Sequence, residues 1–249
     1  MSKSVLNYTL KIYFKNFGLI LVAALPGLFG LILPLVVGMP SYIALGGAYL
    51  RTGSIVDLDS LAFFGMAVSV VISLYLMSFA IVGINLVVKR QRTLKRLSTE
   101  NLKSIARWTN SVFVMYLIAA ILLLLVQLYT YENQLQRVLA PLLNLVVGFG
   151  MLFLPTAMVM DEVRTFRALQ RGIRMIIKKP GLVLQWMVIA LVLLSVVDLV
   201  FLALVDFLDF IPRILGQWIV MIFNSLIILP FLIVMLAQIY INKYTILVD

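Results

Sequence analysis

Six apolar runs, each long enough to cross a lipid bilayer, dictate what this chain can become. A hydrocarbon layer of ~30 Å takes about 20 helical residues. Runs of that order occupy Phe17–Val37, Leu61–Val88, Ser111–Tyr129, Leu139–Met160, Leu182–Val205 and Gly216–Tyr240. Inside lipid each backbone N–H and C=O must be paired within its own segment, so every run is expected as an α-helix. A soluble fold fails for want of a polar skin: of 249 residues, 63% are hydrophobic and only 12% charged. The expectation is an all-α polytopic membrane protein. A single domain over residues 1–249 would place six transmembrane helices as three hairpins, with basic amphipathic helices at the cytoplasmic interface. The second and sixth runs exceed the minimum, so they are expected to tilt or to extend beyond the bilayer. Lys3, Lys11 and Lys15 ahead of the first run imitate a signal peptide, but the run is too long and no small-x-small cleavage site follows. It is read as retained.

The cations fix direction. Three lie before the first run, seven between Lys89 and Arg107, six between Arg164 and Lys179, and one, Lys243, after the last run. The three others, Arg51, Arg137 and Arg213, fall in the alternate loops. Cytoplasmic loops carry the excess of Lys and Arg, so both termini and both basic loops are expected in the cytoplasm of a multi-pass cell-membrane protein. The net charge of +10 is thereby absorbed by orientation, and no nucleic-acid partner is expected.

Cysteine and histidine are both absent. That removes disulfides, thiolate nucleophiles, Cys/His zinc sites, axial-His haem and any histidine base. No Walker lysine loop, zincin signature or Gly-x-Ser-x-Gly elbow occurs either. The chain is therefore read as a non-enzyme with no cofactor, no metal site and no catalytic residue.

The fourth loop, "DEVRTFRALQRGIRMIIKKPGLVLQW", carries the strongest local pattern. Arg164, Arg167, Arg171, Arg174 and Lys178 recur at alternating steps of three and four, so they share one helical face, with Lys179 beside them. Phe166, Leu169, Ile173, Ile176 and Ile177 fall on other faces. Such a helix lies in the membrane interface, apolar side toward acyl chains and cations toward anionic headgroups. Pro180 and Gly181 end it and turn the chain into the fifth run. An ordinary loop that merely orients its neighbours would carry the same cations, and a surface for headgroups or a partner protein is the functional alternative.

The design recurs. "KIYFKNFGLIL" (Lys11–Leu21) aligns with "RMIIKKPGLVL" (Arg174–Leu184) at an offset of 163, and "KSIARWTNSVF" from Lys103 is a fainter copy. "LP" recurs at Leu154-Pro155 and Leu229-Pro230. Three hairpins of similar plan, all starting inside, would be parallel repeats about the membrane normal.

The stretch Leu152–Trp186 resembles six-span prokaryotic membrane families, among them the membrane domain found beside glycerophosphodiester phosphodiesterases. The resemblance is carried by Pro155, the acidic turn Asp161-Glu162, the basic helix Arg164–Arg174 and the Lys178–Gly181 entry to the next span. It implies the fold. The phosphodiesterase of fused members is a separate barrel domain with no counterpart here, so its activity does not carry over.

Within the runs, Asp198 stands out, because a carboxylate costs ~2.5–3.5 kcal/mol at mid-membrane on insertion scales. It is expected ~12 Å from the outer end, held by a structural partner such as Arg51, Arg137 or Arg213, or else serving an ion pathway. Asp206 and Asp209 could extend it into an acidic outer mouth. Asn85, Gln127, Asn144, Asn224 and Gln238 are expected to bond between helices, and Ala23, Gly27, Gly65, Ser69 and Ser73 to let helices approach closely. Pro26, Pro34, Pro155 and Pro230 are expected to kink spans or free a carbonyl.

Two functions fit. The first is a non-catalytic module that organises membrane lipids, through anionic headgroups, or a protein partner or second copy, through its cationic cytoplasmic surfaces. The alternative is a transporter, or an exporter permease of the ABC type working with a separate ATPase.

Overall fold

The computed structural model describes residues 2–36, 60–90, 99–132, 136–207 and 213–245. All regular structure among the described residues is helical. In chain order the helices are α1 (Ser2–Lys15), α2 (Phe17–Val36), α3 (Ser60–Lys89), α4 (Thr99–Glu132), α5 (Gln136–Leu152), α6 (Leu154–Asp161), α7 (Thr165–Lys178), α8 (Pro180–Phe207), α9 (Arg213–Phe223) and α10 (Leu229–Thr245). One π-helical turn, Asn224–Ile228, joins α9 to α10. Among the described residues, six stretches are long and apolar enough to cross a membrane: Phe17–Pro34, Phe64–Lys89, Leu102–Gln127, Val138–Asp161, Pro180–Phe201 and Trp218–Asn242.

The third stretch begins earlier than its hydropathy suggests. Residues from Thr99 onward, expected as loop, are already helix, and the helix runs unbroken into the apolar part. Lys103 and Arg107 ride on its opening turns, where the Arg107 guanidinium lies 5.8 Å from the centre of the Trp108 ring. Charge alone did not make these residues a loop.

Proline acts where expected in two places. Pro155 enters the first turn of α6 just after a break at Phe153 that divides the fourth stretch. Pro230 follows the π turn: its ring would press on the carbonyl four residues back, and the wider turn makes room. The Tyr13 hydroxyl donates to the Ile227 carbonyl within that turn at 3.0 Å, tying α1 to the sixth stretch. Pro26 and Pro34 lie inside α2, which continues past them.

The second and sixth stretches are the most enclosed, 44% buried each, whereas the third and fifth are 17% buried. Accordingly α4 and α8 display apolar side chains outward, among them Ile118, Leu125, Leu184, Leu191 and Leu199, as lipid-facing helices do. The centre is made where α3, α6 and α10 each touch the other two. Leu86, Leu154, Met158, Leu232, Leu236 and Tyr240 share one buried cluster there. The Trp186 indole N–H donates to the Leu232 carbonyl at 2.9 Å and locks α8 onto this centre.

Close helix approach is set by glycines. A Cβ on Gly30 would stand 2.9 Å from the Ser73 carbonyl oxygen, and one on Gly27 3.0 Å from the Ala80 Cβ. Gly83 meets Ala23 in the same antiparallel α2–α3 seam. Ser69 and Ser73 are buried, but Gly65, expected in this ladder, has no described residue against it. Ala23, Gly27 and Ser73 lie in the seam as expected, joined there by Gly30 and Gly83.

The short repeat has a structural counterpart. Helix α1 gives way to α2 at Asn16, and α7 gives way to α8 at Lys179. The two breaks occupy matching positions of the aligned segments. The fainter copy has no break, since α4 continues through it. Helix α7 lies on α6, and α1 lies antiparallel on α10.

Candidate functional site

Helix α7 has three distinct faces, spaced by the ~100° per residue of an α-helix. Ala168, Gly172 and Met175 are buried against the protein. Gly172 is there because a Cβ would come 3.2 Å from the Phe153 Cβ, at the break between α5 and α6. A second face exposes Phe166, Ile173 and Ile177. The third carries Arg164, Arg167, Arg171, Arg174 and Lys178, all exposed.

The cationic face is not uniform. Arg171 forms an ion pair with Asp161 through Nη1 and Oδ2. That carboxyl is 4% exposed, against 42% for the arginine side chain. The Tyr240 hydroxyl donates to the same Oδ2 at 2.7 Å. One acidic side chain at the end of α6 therefore binds α7 on one side and α10 on the other. Arg164, Arg167, Arg174 and Lys178 have no ion-pair partner among the described residues.

The turn before α7 is braced from α3. Glu162 adopts a left-handed backbone, φ 52°, which costs a non-glycine residue ~1–2 kcal/mol. Lys89 holds it there: its ammonium donates to the Glu162 Oε1 at 2.6 Å and to the Val159 carbonyl at 2.7 Å. That hydrogen bond, with the Lys89 charge behind it, holds the Glu162 carboxyl below the usual carboxylate range. At the other end of α7, Lys179 donates to the Asn242 carbonyl of α10 at 3.5 Å.

The acidic pair is thus split between two partners. Asp161 pairs within the fourth loop as its neighbourhood suggested, while Glu162 reaches a lysine 73 positions earlier. Sequence reasoning missed Tyr240 and Lys89 because nothing local announces either contact.

Asp198 lies elsewhere, toward the far end of α8. Among the described residues it meets Asn224, whose Nδ2 donates to Asp198 Oδ1 at 2.8 Å. Arg51 and Asp209 lie outside the described residues, as do the side chains of Arg137, Asp206 and Arg213. The other polar side chains expected to link helices behave differently. Asn85 donates within its own helix, to the Ile81 carbonyl at 2.8 Å, and its oxygen has no partner among the described residues. The amide nitrogens of Asn144 and Gln238 are also without one. Gln127 contributes its backbone carbonyl, to Thr130.

No group of acidic side chains with metal-binding geometry occurs among the described residues. No family model matches the chain, and neither curated proteins nor solved structures yield a match.

Proposed function

We propose that this is a non-catalytic multi-pass protein of the cell membrane that gathers anionic phospholipid at its cytoplasmic face through α7. In this reading both termini are cytoplasmic, the six stretches form three hairpins, and α7 lies in the interface. The seventeen cations on one side support the orientation.

The observation that carries the proposal is the division of α7 into three faces. One is committed to the protein, and the outward remainder is half apolar and half cationic. Phe166, Ile173 and Ile177 would enter the acyl region while Arg164, Arg167, Arg174 and Lys178 meet headgroups. Each such cation contributes about 1 kcal/mol near an anionic surface. The resemblance to six-span families that carry the same basic helix agrees with this reading.

The test is lipid enrichment. Protein extracted with its surrounding bilayer should be enriched in phosphatidylglycerol over phosphatidylcholine, and glutamine at positions 164, 167, 174 and 178 should lower that enrichment severalfold. Unchanged enrichment contradicts the proposal.

A second reading, a transporter or a permease that borrows an ATPase, draws on the Asp198–Asn224 contact beside the π turn. Uptake or export that survives Asp198→Asn would count against it.

A further inference from the structure

A groove of about 110 Å³ lies between α1, α8 and α10. Val5 and Leu6 form one wall, Leu182 and Ile189 the second, Met235 and Ile239 the third, with Gln185 at its edge. It is far smaller than the ~300–1,000 Å³ pockets that enclose compact small molecules. Its shape follows helix register. On α8 the lining residues fall at 182, 185 and 189, and on α10 at 239 and 235, so the groove runs lengthwise between two helices.

The residues just beyond this lining mark one end of the groove. Lys179 precedes Leu182 by three positions and Asn242 follows Ile239 by three. These two residues are already joined, Lys179 Nζ donating to the Asn242 carbonyl. An ammonium thus lies just beyond one end of the slot, whose lining is apolar apart from Gln185. It has no carboxylate partner among the described residues, and exposed Lys178 stands beside it. A slot for hydrocarbon with positive charge at one end is complementary to an anionic amphiphile.

We propose that this groove holds one acyl chain of a single anionic phospholipid, with its phosphate at Lys179 and Lys178. The inference rests on the lipid-gathering role given to the cationic surface, and adds to it a discrete site centred on Lys179, with Lys178 shared between the two. The bound lipid would also fill the gap between α1 and the bundle, so its occupancy would stabilise the seat of α1 on α10.

The probe is native mass spectrometry of the detergent-purified full chain titrated with phosphatidylglycerol or phosphatidylcholine. One phosphatidylglycerol should be retained saturably. Lys179→Gln should weaken its retention about fivefold while leaving phosphatidylcholine unchanged. Leu6→Trp, which fills the slot, should abolish the saturable lipid. The single-chain lyso form should compete as well as the two-chain lipid, and glycerophosphate without a chain should not. The proposal is overturned by the absence of a saturable lipid, by retention that ignores both substitutions, or by competition from glycerophosphate. Dimers sensitive to Leu6→Trp, with no retained lipid, would also overturn it by assigning the slot to a second copy. Glutamine at 164, 167 and 174 should spare the single lipid while lowering bulk enrichment, so loss of one property without the other identifies which proposal has failed.

Discussion

The Tyr240 hydroxyl donates to Asp161 across 79 positions of sequence, and the carboxyl that receives it also grips Arg171. This small network decides how α7 is held. A helix that must present cations outward needs an anchor that does not drift, and the buried Asp161 side chain supplies one for both α7 and α10.

Loss of that anchor should be measurable. Tyr240→Phe is expected to cost about 1 kcal/mol, a typical net hydrogen bond, and Asp161→Ala about 1–3 kcal/mol because it removes the buried acceptor shared by Tyr240 and Arg171. Unfolding in mixed micelles checks both. The Asp161→Asn and Arg171→Gln changes should also be non-additive in a double-mutant cycle, since each removes the same contact.

The Glu162–Lys89 pair makes stability depend on pH with a defined sign. Lys89 holds the Glu162 carboxyl low in the folded state. The pair therefore contributes above the ordinary carboxylate range and fades as pH falls through the lowered folded value. The side chain is 66% exposed, so solvent screening keeps the effect small. Melting temperatures of the wild type and Glu162→Gln should differ near neutrality and converge in acid. Glu162→Gly should fall less than Glu162→Gln, because glycine relieves the left-handed backbone.

Glycine substitutions separate packed from open positions. Gly172→Leu should destabilise by about 1–3 kcal/mol through crowding against Phe153, and Gly30→Leu should do likewise against α3. Gly65→Ala and Gly181→Ala, which meet no described residue, should not destabilise. Unfolding measurements on the four variants would show the contrast.

Much of the fold was legible because one property, hydropathy over about 20 residues, overrides local preference inside a bilayer. All six stretches fall where the apolar runs do, and the periodic cations of α7 share a face. Failures occurred where contact partners are remote. Arg171 looks like its neighbours in sequence, yet the structure commits it to Asp161. Gly65 fits a small-residue ladder as well as Gly30 does, and the facing helix alone tells them apart. The start of α4 was obscured because cations were read as loop, although long straight-chain residues are good helix formers.

Asp198 and Asn224 illustrate the same limit and carry their own test. An amide from the sixth stretch meets this carboxylate, a contact that nothing local in the sequence announces. Asn224→Leu should cost about 1–2 kcal/mol by leaving Asp198 without its donor, while Asp198→Asn, which keeps a hydrogen-bonding partner, should cost less. Unfolding of the two variants in the same bilayer mimetic decides the order.

The central claim is that the free face of α7 meets the inner membrane surface. The chain has no cysteine, so a single Arg167→Cys change introduces a unique thiol without removing any other. Membrane-impermeant maleimide should label it in inverted vesicles and leave it unlabelled in intact cells. Labelling from the outside of intact cells would contradict the account.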